Sequence, residues 1–353
     1  MNKTIWIFTA LTTTAFAAAP KVDTTQSINP KPGDYDYDLF SEHKRVVFVN
    51  AEFLYWTVNE SAADYAIKMK NPAWGPQTDA VGKFELADFG WNGGFRGNIG
   101  YFNAPNYWDV YVQYTYFKGT GTDRTHAPEE TDLLLNGTWP QPDPTGNTSL
   151  LSAHSNINFR VDLLEWLVTR RFFPNPHLRM RLYGGLDVLW LRQNWEINYT
   201  DKAHETSHLR NQWRFNGAGI RLGYIIDWYM HIKGLYLTGA LSAAGFAGSY
   251  RNTSRETSSY SQKGYDPQLP LRNAHYNDTR LVPHLQVMAG PSWQQAFDHW
   301  RAEVCISYEF NIWGNVHEVY RSLVDNPTAP KQTFMNNSLV GLQGASLRVN
   351  VDF

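Results

Sequence analysis

The chain is short of the features that mark most protein classes. Cys305 is the only cysteine among 353 residues, so no internal disulfide framework can hold the fold. Its thiol is expected as a small buried side chain. Charged residues make up only 18%, and a formal net charge of -2 leaves no basic stripe for nucleic acid. Beyond the amino terminus no run of about twenty apolar residues occurs, which excludes a bundle of membrane helices. A secreted aromatic-rich β-sandwich remains open, as does a barrel that crosses a membrane with strands.

What the chain has in excess is aromatic side chains, at 15%. Many aromatics without a continuous apolar run suit a barrel with aromatic girdles at both membrane interfaces. The amino terminus reads as a secretory signal: Lys3, a short apolar core from Ile5 to Phe16, and small residues at Ala15 and Ala17. Cleavage is expected after Ala17. No cysteine follows that site, which speaks against a lipid anchor. Residues 18–44, rich in Pro, Asp and Lys, read as a periplasmic lead.

Ten segments alternate at strand period: 45–57, 89–102, 107–118, 156–171, 177–199, 212–228, 234–250, 280–295, 299–312 and 338–353. The ninth is the clearest, with Trp300, Ala302, Val304, Ile306, Tyr308, Phe310 and Ile312 on one face. Arg301, Glu303, Cys305, Ser307, Glu309 and Asn311 take the other. A helix, with its period of 3.6, would mix the two sets. Connections alternate as well. Residues 103–106, 172–176, 229–233 and 296–298 are short, whereas 58–88, 119–155, 200–211, 251–279 and 313–337 are long and polar. Short periplasmic turns opposite long external loops are the pattern of an outer-membrane barrel. The fold expected is all-β: a closed antiparallel up-and-down transmembrane barrel of about ten strands spanning 45–353, with 58–88 or 119–155 able to hide a further hairpin.

The last segment carries its own signal. Ala345, Leu347, Val349, Val351 and Phe353 alternate with Gly344, Ser346, Arg348, Asn350 and Asp352. Leu347, Val349, Val351 and the terminal Phe353 resemble the signature that bacterial β-barrel assembly machinery reads. In lipid an unpaired sheet edge costs several kcal/mol per group, so 338–353 is expected to zip to 45–57.

The residues also resemble a family. Ala51-Glu52-Phe53-Leu54-Tyr55-Trp56, Trp108-Asp109-Val110-Tyr111-Val112, the run 178–199, Trp213–Gly223 and the closing segment resemble the Legionella-type major outer membrane protein family. That family includes porins of environmental chlamydiae. The resemblance implies a surface-abundant barrel with porin or adhesin roles and brings no catalytic residues. Cysteine-rich chlamydial porins form disulfide-linked envelopes, a pattern from which a single Cys305 departs.

Read inward, Arg96, Arg160, Arg179, Arg181, Arg221, Arg301 and Arg348 face Glu52, Asp109, Asp162, Asp187, Glu303, Glu309 and Asp352. Balanced signs in a barrel of ten strands predict a narrow, weakly selective path for small hydrophilic solutes, or a salt-bridged plug. The function expected is a porin-like channel; the alternative is a surface structural protein or adhesin with an occluded lumen. Expected partners are outer-membrane lipid and lipopolysaccharide, the assembly machinery, small solutes and a host surface. No cofactor or metal is implied.

Two patterns tempt toward an enzyme. His204-Glu205-Thr206-Ser207-His208 matches H-E-x-x-H, but the zinc chemistry needs a helix and the pentad lies in a polar loop. Ten-stranded outer-membrane proteases use Asp and His near the external rim, where this chain has His154, Asp201, His275 and Asp278, without a match to their pattern. The Asn-, Ser- and Thr-rich loop 251–279, with Tyr260, Tyr265 and Tyr276, suits adaptable recognition as well as plain solvation.

Overall fold

The computed structural model describes residues 45–353 apart from 61–62, 71–81, 104–106, 131–132, 140–148, 176, 231, 233, 260–271, 298–299 and 324–331. The signal and lead expected over 1–44 lie outside the described residues. So do Tyr260 and Tyr265.

Strand-favouring alternation becomes thirteen strands: β1 (Arg45–Glu60), β2 (Asp64–Lys70), β3 (Gly82–Leu86), β4 (Asn92–Asn103), β5 (Trp108–His126), β6 (Leu133–Gly137), β7 (Leu150–Asn175), β8 (Leu178–Asp201), β9 (Thr206–Tyr229), β10 (Leu235–Ser258), β11 (Arg272–Ala296), β12 (Arg301–Leu323) and β13 (Gln332–Asp352). Ten of them close into an antiparallel barrel in the order β1-β13-β12-β11-β10-β9-β8-β7-β5-β4. Closure is made by β1, which pairs with β4 on one side and β13 on the other; Glu52 stands opposite both Arg96 and Arg348. At the short-turn end Val47 and Phe353 exchange backbone hydrogen bonds of 3.2 and 2.9 Å. Every described wall strand therefore has two neighbours, as a sheet in lipid requires.

The remaining three strands form a separate small sheet, β3-β2-β6. The long connections 58–88 and 119–155 thus hold β2, β3 and β6, which add nothing to the wall, while their outer parts extend β1, β5 and β7. Other expected loops shrink. Residues 200–211 were expected as a long loop, yet β8 and β9 run on until only four residues separate them. The turn is closed by Asp201, whose Oδ1 accepts from the Glu205 amide at 2.8 Å, and by His204 at φ 65°. At the opposite end the β9–β10 turn uses Gly234 at φ 78°, where a Cβ would meet the Gln294 carbonyl oxygen at 2.4 Å.

A membrane needs about 9–11 residues of a tilted strand, but β7 has 26 and β8, β9 and β10 have 24 each. These strands project far past any bilayer on the long-loop side, and their polarity reverses on the way. On β8 the outward set begins Met180, Leu182, Leu186, Val188 and Trp190, then becomes Arg192, Asn194, Glu196 and Asn198. Its inward set begins with Arg179, Arg181 and Asp187 and becomes Leu191, Trp195, Ile197 and Tyr199, all four buried. β9 repeats this: Leu222 and Trp228 outward beside Arg221 and Asp227 inward, then Arg210 and Arg214 outward beside Trp213 and Phe215 inward. The lower part is a membrane barrel, apolar outside. The upper part is a water-soluble barrel, apolar inside.

Candidate functional site

The bore of the barrel is filled in two layers. The lower layer is ionic. Arg96 on β4 reaches Glu309 on β12 through two hydrogen bonds of 3.0 and 2.9 Å and Glu52 at 3.2 Å. Gln286 on β11 donates to Glu309 at 2.5 Å and accepts from Arg221 on β9 at 2.9 Å. Arg221, fully buried, pairs with Asp187 at 2.7 Å and Glu165 at 3.0 Å. Glu165 accepts from Gln113 on β5, which accepts from Asn98 on β4, two residues from Arg96. The contacts therefore run in a closed circuit around the bore and across it.

Below this circuit, toward the short turns, lie further pairs. Arg171 holds Asp109 through two bonds of 3.0 Å. Arg179 and Arg181 share Asp227 at 2.8 and 2.9 Å, and Arg301 pairs with Asp352 at 2.6 Å. Arg348 approaches Glu303 at 3.4 Å. Buried charge is tolerable only when paired and hydrogen-bonded, and here each named group has an oppositely charged neighbour. The space left among these side chains is a cavity of about 120 Å³.

Above the circuit the filling is apolar and continuous. Trp56, Phe117, Phe159, Trp195, Trp213, Phe246 and Trp313 come from seven wall strands and join one cluster with Tyr65, Leu135 and Trp139 of the small sheet. Trp139 meets Trp195 edge-on at 5.1 Å. The Tyr199 hydroxyl donates to the Tyr65 carbonyl at 2.6 Å, and the Thr57 hydroxyl to the Phe89 carbonyl at 3.0 Å. Burial and the Asp123 carboxylate, 2.8 Å away, push the Tyr65 phenol above its ordinary range. The small sheet is therefore pinned to the inner wall by polar contacts and by packing.

Of the residues expected inward, Glu52, Arg96, Asp109, Arg179, Arg181, Asp187, Arg221, Arg301, Glu303, Glu309, Arg348 and Asp352 point into the bore. Arg160 does not, and neither does Asp162: both lie on the outer side of β7 and pair with each other at 2.7 Å. The cause is phase. The inward set of β7 is odd-numbered, Ile157, Phe159, Val161 and Leu163 above and Glu165, Thr169 and Arg171 below. An apolar inward half makes the strand look inverted when the lumen is assumed polar. Glu165 and Arg171 were missed for this reason, although they share odd parity on one strand; Asp227 was missed although it shares the parity of Arg221 on β9. Leu347, Val349 and Phe353 lie exposed on the outer face of β13 and its end, with Val351 half-buried beside them.

The H-E-x-x-H pentad spans the β8–β9 turn and the first residues of β9, and the outward His208 contacts Asn198 at 2.6 Å. A turn and a strand do not set two imidazoles on one helical face. Protein purified without an affinity tag is expected to carry no stoichiometric zinc by elemental analysis. Of the other candidates, His154 on β7 and His275 on β11 are separated by three wall strands, and Asp278 is engaged by Arg280 at 2.7 Å.

A family model described as Legionella pneumophila major outer membrane protein precursor matches residues 41–353. The chain belongs to that family. As a member of the major outer membrane protein family, the barrel resides in the bacterial outer membrane, with the short turns facing the periplasm and the projecting wall outside. No curated protein matches the chain. Among solved structures it is similar to the outer membrane protease OmpT of Escherichia coli (9% identity, 87% of this chain and 96% of that one, TM-score 0.45). It is also similar to a Pseudomonas aeruginosa FadL homologue (9%, 88% and 90%, 0.22) and to the Pseudomonas putida toluene transporter TodX (9%, 87% and 89%, 0.28). At such identities and scores these likenesses say nothing about activity.

Proposed function

We propose that this major outer membrane protein is a surface-exposed structural barrel with an occluded lumen, whose work is done by its wall and its external rim. One observation carries this reading: among the described residues, two stacked layers of side chains, one ionic and one apolar, fill the bore. The tall projecting wall supports it, since a channel needs only the length of the bilayer. A barrel of ten strands is in any case narrow, between the eight that side chains fill and the sixteen or more that leave a water channel.

A second reading, the porin-like channel for small hydrophilic solutes, is favoured by the charged cavity below the circuit. It requires the aromatic layer to open, and aromatic side chains offer a hydrophilic solute no hydrogen bonds.

Planar bilayers decide between the two. The full chain, folded and heat-modifiable on gels, is expected to give no conductance steps above baseline. Regular steps at modest voltage would replace the occluded reading with a channel. For the rim, removal of residues 260–271 is expected to lower attachment of expressing cells to a host surface while leaving barrel assembly intact. Unchanged attachment would confine the role to envelope structure.

A further inference from the structure

The outer wall carries a row of cations that the bore does not explain. Lys118 on β5 stands directly opposite Arg160 on β7, Arg160 opposite Arg192 on β8, Arg192 opposite Arg214 on β9, and Arg214 opposite Arg251 on β10. All five point outward, into one surface groove of about 660 Å³. Side chains directly opposite on one face lie about 5 Å apart, and like charges so placed repel. Asp162 neutralises Arg160 from below. Among the described residues no carboxylate comes within ion-pair distance of Lys118, Arg192, Arg214 or Arg251. The nearby Glu196 is taken by Arg210 at 3.3 Å.

Position decides what answers this charge. The row begins where the outward polarity reverses: Arg192 is the next outward residue after Trp190, Val188 and Leu186 on β8. From there it climbs with the strand tilt, with Asn216 and Ala218 separating Arg214 from Ile220 on β9. That height is the outer headgroup layer, reached from the lipid side of the wall. On the next strand the row ends at the neutral Asn277, opposite Arg251.

We propose that this row is a binding site for the phosphorylated glucosamine headgroup of lipopolysaccharide in the outer leaflet. Planar guanidinium groups suit phosphate oxygens, two hydrogen bonds at a time. An apolar wall directly below, with Trp190 at its rim, gives the acyl chains a surface to lie against. The ligand's charge is of the sign and multiplicity that relieves the repulsion.

The test uses the full chain folded in detergent micelles and labelled bis-phosphorylated lipid A, read by fluorescence anisotropy. Binding is expected to weaken by about tenfold or more for lipid A stripped of both phosphates, a comparison that needs no variant. The double substitution Arg192→Gln with Arg214→Gln is expected to weaken binding of the intact lipid A by a similar factor. Lys83→Gln on the small sheet should not. Heat-modifiable migration checks that each variant is folded. Equal binding of the dephosphorylated lipid, unchanged binding by the folded double variant, or equally tight binding of phosphatidylglycerol would overturn the site.

Discussion

Replacing Arg221 with methionine is expected to cost the barrel about 3–5 kcal/mol, the usual consequence of removing one partner from a buried ionic group. Arg221 is fully buried and serves five neighbours: Asp187, Glu165, Ser242, Gln286 and His284. Methionine fills much of the same volume, so the loss is chiefly electrostatic. Two buried carboxylates, Glu165 and Asp187, are left without the cation between them. The measurement is the urea midpoint of the folded band on unheated gels. A second variant sharpens it: adding Glu165→Gln and Asp187→Asn to Arg221→Met removes the stranded charges and is expected to recover a good part of the loss. A single-variant loss below about 1 kcal/mol, in the range of exposed pairs, would mean that water penetrates the circuit and the bore is not closed there.

The second large effect is expected at Leu222. Its side chain is outward and 67% exposed to the membrane, between Ile220 and Tyr224 and near the middle of the apolar stretch of β9. Leu222→Arg is expected to destabilise the folded barrel by about 2–4 kcal/mol, the cost of an outward arginine near the bilayer midplane. Asn216→Arg, three outward positions higher on the same strand, is expected to cost about 0–1 kcal/mol, as near an interface. Both changes add one charge to one face of one strand, so their difference reports depth alone. Equal effects, measured by equilibrium folding into lipid vesicles, would show that the polarity reversal does not mark the membrane boundary.

Much of the fold was legible because lipid leaves the sequence little choice. The ten wall strands, the pairing of β13 with β1 and the alternation of most connections all follow from period-two patterning and from the need to close the sheet. Twelve of the fourteen charges expected inward lie inside. Arg160 and Asp162 were misread because they sit at the height where the outward polarity reverses, level with Arg192 and Trp190 on β8, and there the rule that polar means inward no longer holds. The same reversal hid the extent of the strands: Arg210 fell in the loop expected over 200–211, although it lies on the wet side of a continuous β9. The small sheet was beyond pattern reading. Its strands have only five to seven residues, and what fixes them is contact with wall aromatics far away in sequence. The closed circuit of the bore is of that kind too, since Arg96 and Glu309 are 213 residues apart.

The exchange of faces along each strand acts as a waterline. Immersion depth is written into the sequence at the residue where outward turns from oily to wet, Trp190 to Arg192 on β8. Two residues of strand span about 6.6 Å, so moving that switch by one outward position would raise or sink the local wall by several ångströms, less the tilt. The outer leaflet would have to thin or thicken to follow. The protein would then set the thickness of the layer around it, and neighbouring barrels would be sorted by how closely their own waterlines agree.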